Sequence, residues 1–158
     1  MNKSIALSEI LGLGAVIAGH EAQDKKSLLQ DLASHAAQAL RLEEYGLFDM
    51  LWEREKLGST GVGHGIAIPH ARVPGLESVQ GFFAQMKAPI PFDSVDNQAV
   101  DIVFLLLAPE EAGADHLHAL ACISRALRDQ AFCAKLRDAQ GQDSIMLLLR
   151  SVEAVKAA

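Results

Sequence analysis

The chain has 158 residues, half of them hydrophobic and 22% charged, with a formal net charge of −6. These values predict one globular domain over residues 1–158 with enough apolar material for a core. They exclude a global basic footprint for nucleic acid, and the longest apolar run, Ile102–Ala108, is too short to cross a bilayer.

Cys122 and Cys133 are the only cysteines, and their spacing matches no zinc or redox motif. They read as reduced thiols. The segment Met1–Leu7 runs into Ser8 and Glu9 with no long apolar stretch of a secretory signal. A cytoplasmic protein is expected.

In chain order, Ala15–Ala18 is a short strand candidate. A helix is predicted over Asp24–Leu40, with Leu28, Leu29, Leu32, Ala36 and Leu40 at helical spacing and Asp24 as N-cap. A second helix is predicted over Leu42–Leu57, with Leu47, Phe48, Leu51 and Trp52 inward and Gly58 as its stop. Gly65–Ile68 and Val79–Lys87 read as strands, and Pro89–Phe92 as extended chain. Asp101–Leu107 is apolar on both faces, the mark of a central, doubly covered strand. A third helix is expected over Asp115–Asp129, burying Leu117, Leu120, Ala121 and Leu127. Shorter helices follow near Ala131–Arg137 and Asp143–Arg150, and Glu153–Ala158 reads as a frayed tail. The fold class expected is α/β, with helices on both faces of the sheet. The sheet should be mixed, because Val79–Lys87 and Asp101–Leu107 lie too close in sequence for a crossover helix.

The stretch from Arg54 to His70 is the richest in chemistry. It places four glycines in the eight positions from Gly58 to Gly65, then a short apolar strand, then Pro69-His70. Glycines let backbone N–H groups approach an anion closely, which makes Gly63 and Gly65 candidate neighbours of a phosphate. The lysine and Ser/Thr of a nucleotide-binding P-loop are absent, so a tight turn between helix and strand explains the glycines equally well. His70 stands at a strand end, where α/β sheets present reactive groups, and a neutral imidazole is a good nucleophile. A lone histidine there is more often structural, so partners decide the matter. His116 and His118 fall in the first turn of the third helix, where free N–H groups and the helix dipole favour a phosphate. Arg54 is a third partner: on composition it belongs to a solvated helix face, but a guanidinium is the side chain best matched to phosphoryl oxygens.

The segments Arg54–His70, Pro91–Asp101 and His116–Leu120 resemble the enzyme IIA domain of the bacterial phosphoenolpyruvate-dependent phosphotransferase system. The type is type 2, the fructose/mannitol class, and the match is nearest to its nitrogen-regulatory branch. The resemblance spans Leu7 to about Leu149 and implies the mannitol/fructose-class IIA fold. It implies that His70 accepts a phosphoryl group as a tele-phosphohistidine, that His116 is the second active-site histidine, and that Arg54 is the active-site arginine. His118 matches a histidine that nitrogen-branch members also carry. His64 and Arg72 depart from the residues usual at their positions, and both lie beside the site.

The implied cascade runs from phosphoenolpyruvate through enzyme I and a histidine phosphocarrier protein to His70, with no metal and no other cofactor. Regulated partners such as transporters or sensor kinases follow in the nitrogen branch, whereas a sugar-specific member passes phosphate to a IIB domain. A homodimer is permitted by the apolar content. Two other readings are a binding module that has lost its chemistry and a metal site built from His64, His70, His116 and His118. The metal site is disfavoured because His116 and His118, two residues apart on a helix, diverge by about 200°.

Overall fold

A computed structural model describes residues 7–157, with side chains through Val152. Of the amino-terminal segment read for a signal sequence, Met1–Ala6 lies outside the described residues. A short helix, α1 (Leu7–Ile10), leads directly into strand β1 (Leu11–His20). β1 is longer than the Ala15–Ala18 strand expected. Gly14 and Gly19, with φ of 72° and 62°, bend it without ending it. Helix α2 (Lys25–Leu40) starts at a capping box: the Ser27 N–H donates to Asp24 Oδ1 at 2.8 Å, and the Asp24 N–H donates to Ser27 Oγ at 3.2 Å.

Helix α3 (Glu44–Leu57) begins two residues later than Leu42. Arg41 closes α2 in the left-handed region at φ 58°, and the Leu42 N–H donates back to the Ala37 carbonyl at 2.9 Å. Leu42 is thereby committed to the turn. Leu47 and Leu51 are buried as expected, but Phe48 and Trp52 are only half-buried. Their rings stack 6.1 Å apart, and the Lys26 ammonium lies 5.7 Å from the Trp52 ring, so this pair covers the flank of α2 instead of entering the core.

The remaining strands are β2 (Gly61–Gly63), β3 (Ile66–Ala67), β4 (His70–Val73), β5 (Gln80–Ile90) and β6 (Val100–Pro109). Their order is β1-β5-β6-β3-β2, with β4 also paired to β6. β5 and β6 are antiparallel, whereas β1 with β5 and both β3 and β4 with β6 are parallel, so the sheet is mixed. β5 runs through Pro89 to Ile90, so half of the extended Pro89–Phe92 segment is strand. The ladder to β6 is irregular between Gln85 and Ile90, where a residue without an N–H is tolerated. His70 opens β4; it does not end the preceding strand. Pro69 has no N–H and interrupts the ladder along β6, but its carbonyl still accepts from the Leu106 N–H at 2.9 Å.

Three helices complete the chain: α4 (Ala114–Arg128), α5 (Gln130–Asp138) and α6 (Gln142–Ala157). α4 buries His116, Ala119, Cys122, Ile123 and Leu127. Leu117 is 62% exposed, Ala121 is exposed and Leu120 is half-buried, which corrects the inward face expected for this helix. The buried stripe follows i, i+3, i+7 and i+11 from His116, so Leu127 is buried as expected while His116 and Ala119 take the inward places expected of Leu117 and Leu120. The helical backbone of α6 continues through Ala157, so residues 153–157 of the expected tail extend that helix, and Ala158 lies outside the described residues.

α2 and α3 pack together on one side, while α1, α4, α5 and α6 associate on the other. Between them β6 is fully buried from Ile102 to Ala108. Each such aliphatic side chain contributes about 1.5–3 kcal/mol by leaving water. The amide of Gln85 ties the layers: it accepts from the Gly19 N–H at 3.1 Å and donates to the carbonyls of Leu136 and Ala139 at 2.8 and 2.9 Å. No helix among the described residues is long and apolar enough to cross a membrane.

Candidate active site

Three elements converge on His70. In β4 the side chains alternate, with Ala71 and Val73 buried and His70 and Arg72 on the opposite, accessible face. Among the described residues β4 pairs with β6 alone, and α3 packs against it. From α3, Met50 and Arg54 stand one turn apart on one face. From α4, the third residue of the helix is His116. These side chains line one cavity of about 390 Å³: Met50, Arg54, His70, Ala71, Arg72 and His116. The His70 and His116 rings lie 5.7 Å apart, centre to centre, tilted by 57°.

The His70 tautomer follows from one hydrogen bond. Its Nδ1 is 2.9 Å from the Ile68 carbonyl oxygen. A carbonyl only accepts, so Nδ1 carries the proton and Nε2 keeps the free lone pair. Burial, above all, holds this imidazole below the ordinary histidine range. The Ile68 bond opposes that shift, the Arg54 charge adds to it, and the Glu55 charge opposes it. His70 is therefore neutral at neutral pH.

His116 is only 7% exposed, and neither ring nitrogen has a hydrogen-bond partner among the described residues. Burial, then the proximity of His70, then the charge of Arg72 push it below the ordinary range as well. A buried polar ring without a partner is costly unless a ligand supplies one.

Arg54 donates through Nη1 to the Gly58 carbonyl at 2.9 Å, which fixes the guanidinium over the end of its own helix and leaves most of its donors free. The neighbouring Glu55 turns the other way. It is 4% exposed, accepts from the Thr60 N–H and hydroxyl, and pairs with Lys25 Nζ at 3.2 Å. That network anchors the loop after α3 and so positions Arg54. Among the described residues no carboxylate lines the cavity, and Arg54 and Arg72 make it locally positive on an acidic protein. A larger concavity, about 750 Å³, is lined by Glu9, Glu77, Glu110, Glu111 and Asp115, and repels any phosphate by its charge.

The cavity thus unites His70, His116 and Arg54. Gly63, Gly65 and His118, expected beside a phosphate, are not among the residues that line it. Gly63 and Gly65, with φ of 105° and 81°, flank His64 at φ 56° in the two-residue connection between β2 and β3. Positive φ at both His64 and Gly65 is what such a hairpin requires. A Cβ on Gly65 would lie 2.8 Å from Arg137 Nη2 and 2.9 Å from Asp101 Oδ1, so the glycine serves close packing. His118 is exposed, turned away from the cavity by helix geometry. Met50 and Arg72 also belong to the cavity; Arg72 was expected only beside the site, and Met50 was not among the expected residues. The two-residue strand period from His70 marks Arg72, and the four-residue helix period back from Arg54 marks Met50. Among the described residues, no group of three or more His, Cys, Asp or Glu is arranged to hold a metal ion.

Residues 9–152 match the family model described as "Phosphoenolpyruvate-dependent sugar phosphotransferase system, EIIA 2". A nitrogen regulatory protein of Bradyrhizobium diazoefficiens is 48% identical over 145 residues, which cover 90% of this chain and 95% of that protein. The nitrogen regulatory protein of Escherichia coli K12 is 37% identical over 152 residues, covering 95% and 93%. The crystal structure of the nitrogen regulatory protein IIA-Ntr from Neisseria meningitidis superposes with a TM-score of 0.85 at 31% identity, over 90% of this chain and 98% of that one. The chain belongs to the type 2 enzyme IIA family of the phosphoenolpyruvate-dependent phosphotransferase system, in its nitrogen regulatory branch.

Proposed function

We propose that this protein accepts a phosphoryl group on His70 Nε2 from a histidine phosphocarrier protein and regulates partner proteins according to its phosphorylation state. The observation that carries the reading is the His70 Nδ1–Ile68 hydrogen bond. It commits one ring nitrogen to the fold and leaves the other as a nucleophile in a cavity with Arg54 and the unpartnered His116.

The step is an in-line exchange. The Nε2 lone pair forms a bond to phosphorus as the donor's N–P bond breaks and returns its electron pair to the donor imidazole. The Nδ1 proton stays on His70, held by Ile68, and the charge this ring gains is offset by the phosphoryl dianion. Little acid–base chemistry is needed, because phosphoryl transfer depends on positioning and charge stabilisation. Arg54 neutralises the equatorial oxygens, neutral His116 donates one N–H to them, and the free N–H groups at the start of α4 add to the field.

The regulatory output is favoured over a sugar-specific one because the more similar relatives carry the nitrogen regulatory name. A fructose-specific EIIA component of Haloferax volcanii is 33% identical, against 48% for the Bradyrhizobium protein. The test is to incubate the protein with enzyme I, phosphocarrier and phosphoenolpyruvate. Acid-labile phosphate is expected on the native chain and not on His70→Ala; labelling of His70→Ala contradicts the assignment. Capture of different partners by the phosphorylated and unphosphorylated forms is the expected sign of the regulatory output.

A further inference from the structure

We propose that Arg72 is a second phosphoryl-binding guanidinium, one that leaves the Glu110 carbonyl when His70 is phosphorylated and so transmits the event to the loop before α4. The proposal rests on His70 being the acceptor.

Arg72 is two residues from His70 in β4, on the same face, and lines the same cavity. Its guanidinium makes one hydrogen bond among the described residues, from Nη1 to the Glu110 carbonyl at 3.4 Å. That length lies beyond the usual range of an N–H···O bond, so little is lost when it breaks. The side chain forms no ion pair with the described carboxylates. Arg54 and Arg72 thus approach His70 from a helix and from its own strand, each with spare donors in fork geometry. A phosphoryl dianion is the group that two such forks fit.

The exchange has a structural consequence. Glu110 begins the loop that ends at Gly113, the residue capping α4, and His116 stands in the first turn of that helix. In the unphosphorylated protein Arg72 bridges β4 to this loop. A phosphoryl group on His70 competes for the same guanidinium and frees the Glu110 carbonyl. The loop carries Glu110 and Glu111, with Asp115 just beyond, so the released segment is acidic and exposed. A partner that reads phosphorylation therefore meets a different arrangement of negative charge at this corner.

The experiment compares the native protein with Arg72→Gln, Arg72→Lys and His70→Ala. The phosphoryl group is equilibrated between phosphocarrier and acceptor, and backbone amide shifts of residues 110–113 are recorded in both states. Arg72→Gln is expected to remain labelled at His70, with the equilibrium moved about tenfold toward the donor and the loop shifts on phosphorylation lost. Arg72→Lys should restore part of the equilibrium and little of the loop response. In parallel, inorganic phosphate titrated into the unphosphorylated protein should bind about tenfold more weakly to Arg72→Gln. An unchanged partition, unchanged loop shifts and unchanged phosphate binding in Arg72→Gln overturn the role of Arg72 while leaving His70 as acceptor. If the native protein is not labelled, the acceptor reading fails, and the phosphate titration alone still judges Arg72.

Discussion

The ion pair beneath the site gives the sharpest stability prediction. Glu55 accepts from the Thr60 N–H at 3.1 Å, from the Thr60 hydroxyl, and from Lys25 Nζ at 3.2 Å, all while 4% exposed. Glu55→Gln keeps the size but leaves one accepting oxygen for three donors. Its new NH2 must then face either Thr60 or the Lys25 ammonium, donor against donor. Breaking a buried pair from one side costs about 3–5 kcal/mol. Lys25 retains Asp93 Oδ2 at 3.1 Å and the Phe92 carbonyl at 3.3 Å, which places the loss at the low end, about 3 kcal/mol. For a chain of this length that is a fall in melting temperature of roughly 6–12 °C. Thermal unfolding followed by circular dichroism at neutral pH measures it. A second reading comes from nuclear magnetic resonance titration of His70. Glu55 raises the His70 pKa, so its removal should move the titration further down. A melting temperature unchanged within about 2 °C, corresponding to less than 1 kcal/mol, refutes the reasoning about the pair. An upward move of the His70 titration refutes the electrostatic part.

His116→Leu should leave stability unchanged or raise it by about 1 kcal/mol, because two unpartnered buried nitrogens are removed. The same change should slow phosphoryl transfer by about a hundredfold through loss of a donor to the transferring group, measured as the initial labelling rate. Stability should also fall on acidification below pH 6.5. Both His70 and His116 are held below their ordinary value of 6.5 when folded, so the unfolded chain binds more protons in the window under 6.5. Their contribution is complete above that pH and is lost as pH drops through the folded values. Denaturant unfolding across this range should show a slope that His70→Gln with His116→Leu reduces, and an unreduced slope contradicts the assignment. His64→Asn should stabilise the protein by about 0.5 kcal/mol, because asparagine tolerates the φ of 56° better, read as a higher denaturant midpoint.

Much of the architecture was legible because it rests on local periodicity. The run from Ile102 to Leu107 reads as a doubly covered strand, and Asp24, expected as the N-cap of the first long helix, caps α2. The errors arise where tertiary contacts override pattern. Leucine spacing put Leu117 in the core, but α4 turns His116 inward and leaves Leu117 exposed. The glycines from Gly58 to Gly65 read as an anion cradle; in the structure Gly63 and Gly65 take positive φ, and Gly61, Gly63 and Gly65 leave no free space for a side chain against Ser94, Asp96 and Arg137, as a pinned hairpin requires. Arg54 and His116 were legible through the resemblance and are joined in one cavity by elements distant in sequence. The resemblance placed Arg72 beside the site, but that it lines the cavity follows from β4 beginning at His70, a boundary that apolar patterning does not reveal.

The central claim is that Nε2 of His70 is the nitrogen that bonds phosphorus. Phosphorylating protein labelled with nitrogen-15 and recording nitrogen–phosphorus coupling tests it directly. The account predicts one coupling, to His70 Nε2, with Nδ1 still protonated against the Ile68 carbonyl. A coupling to His70 Nδ1, or to either nitrogen of His116, contradicts it.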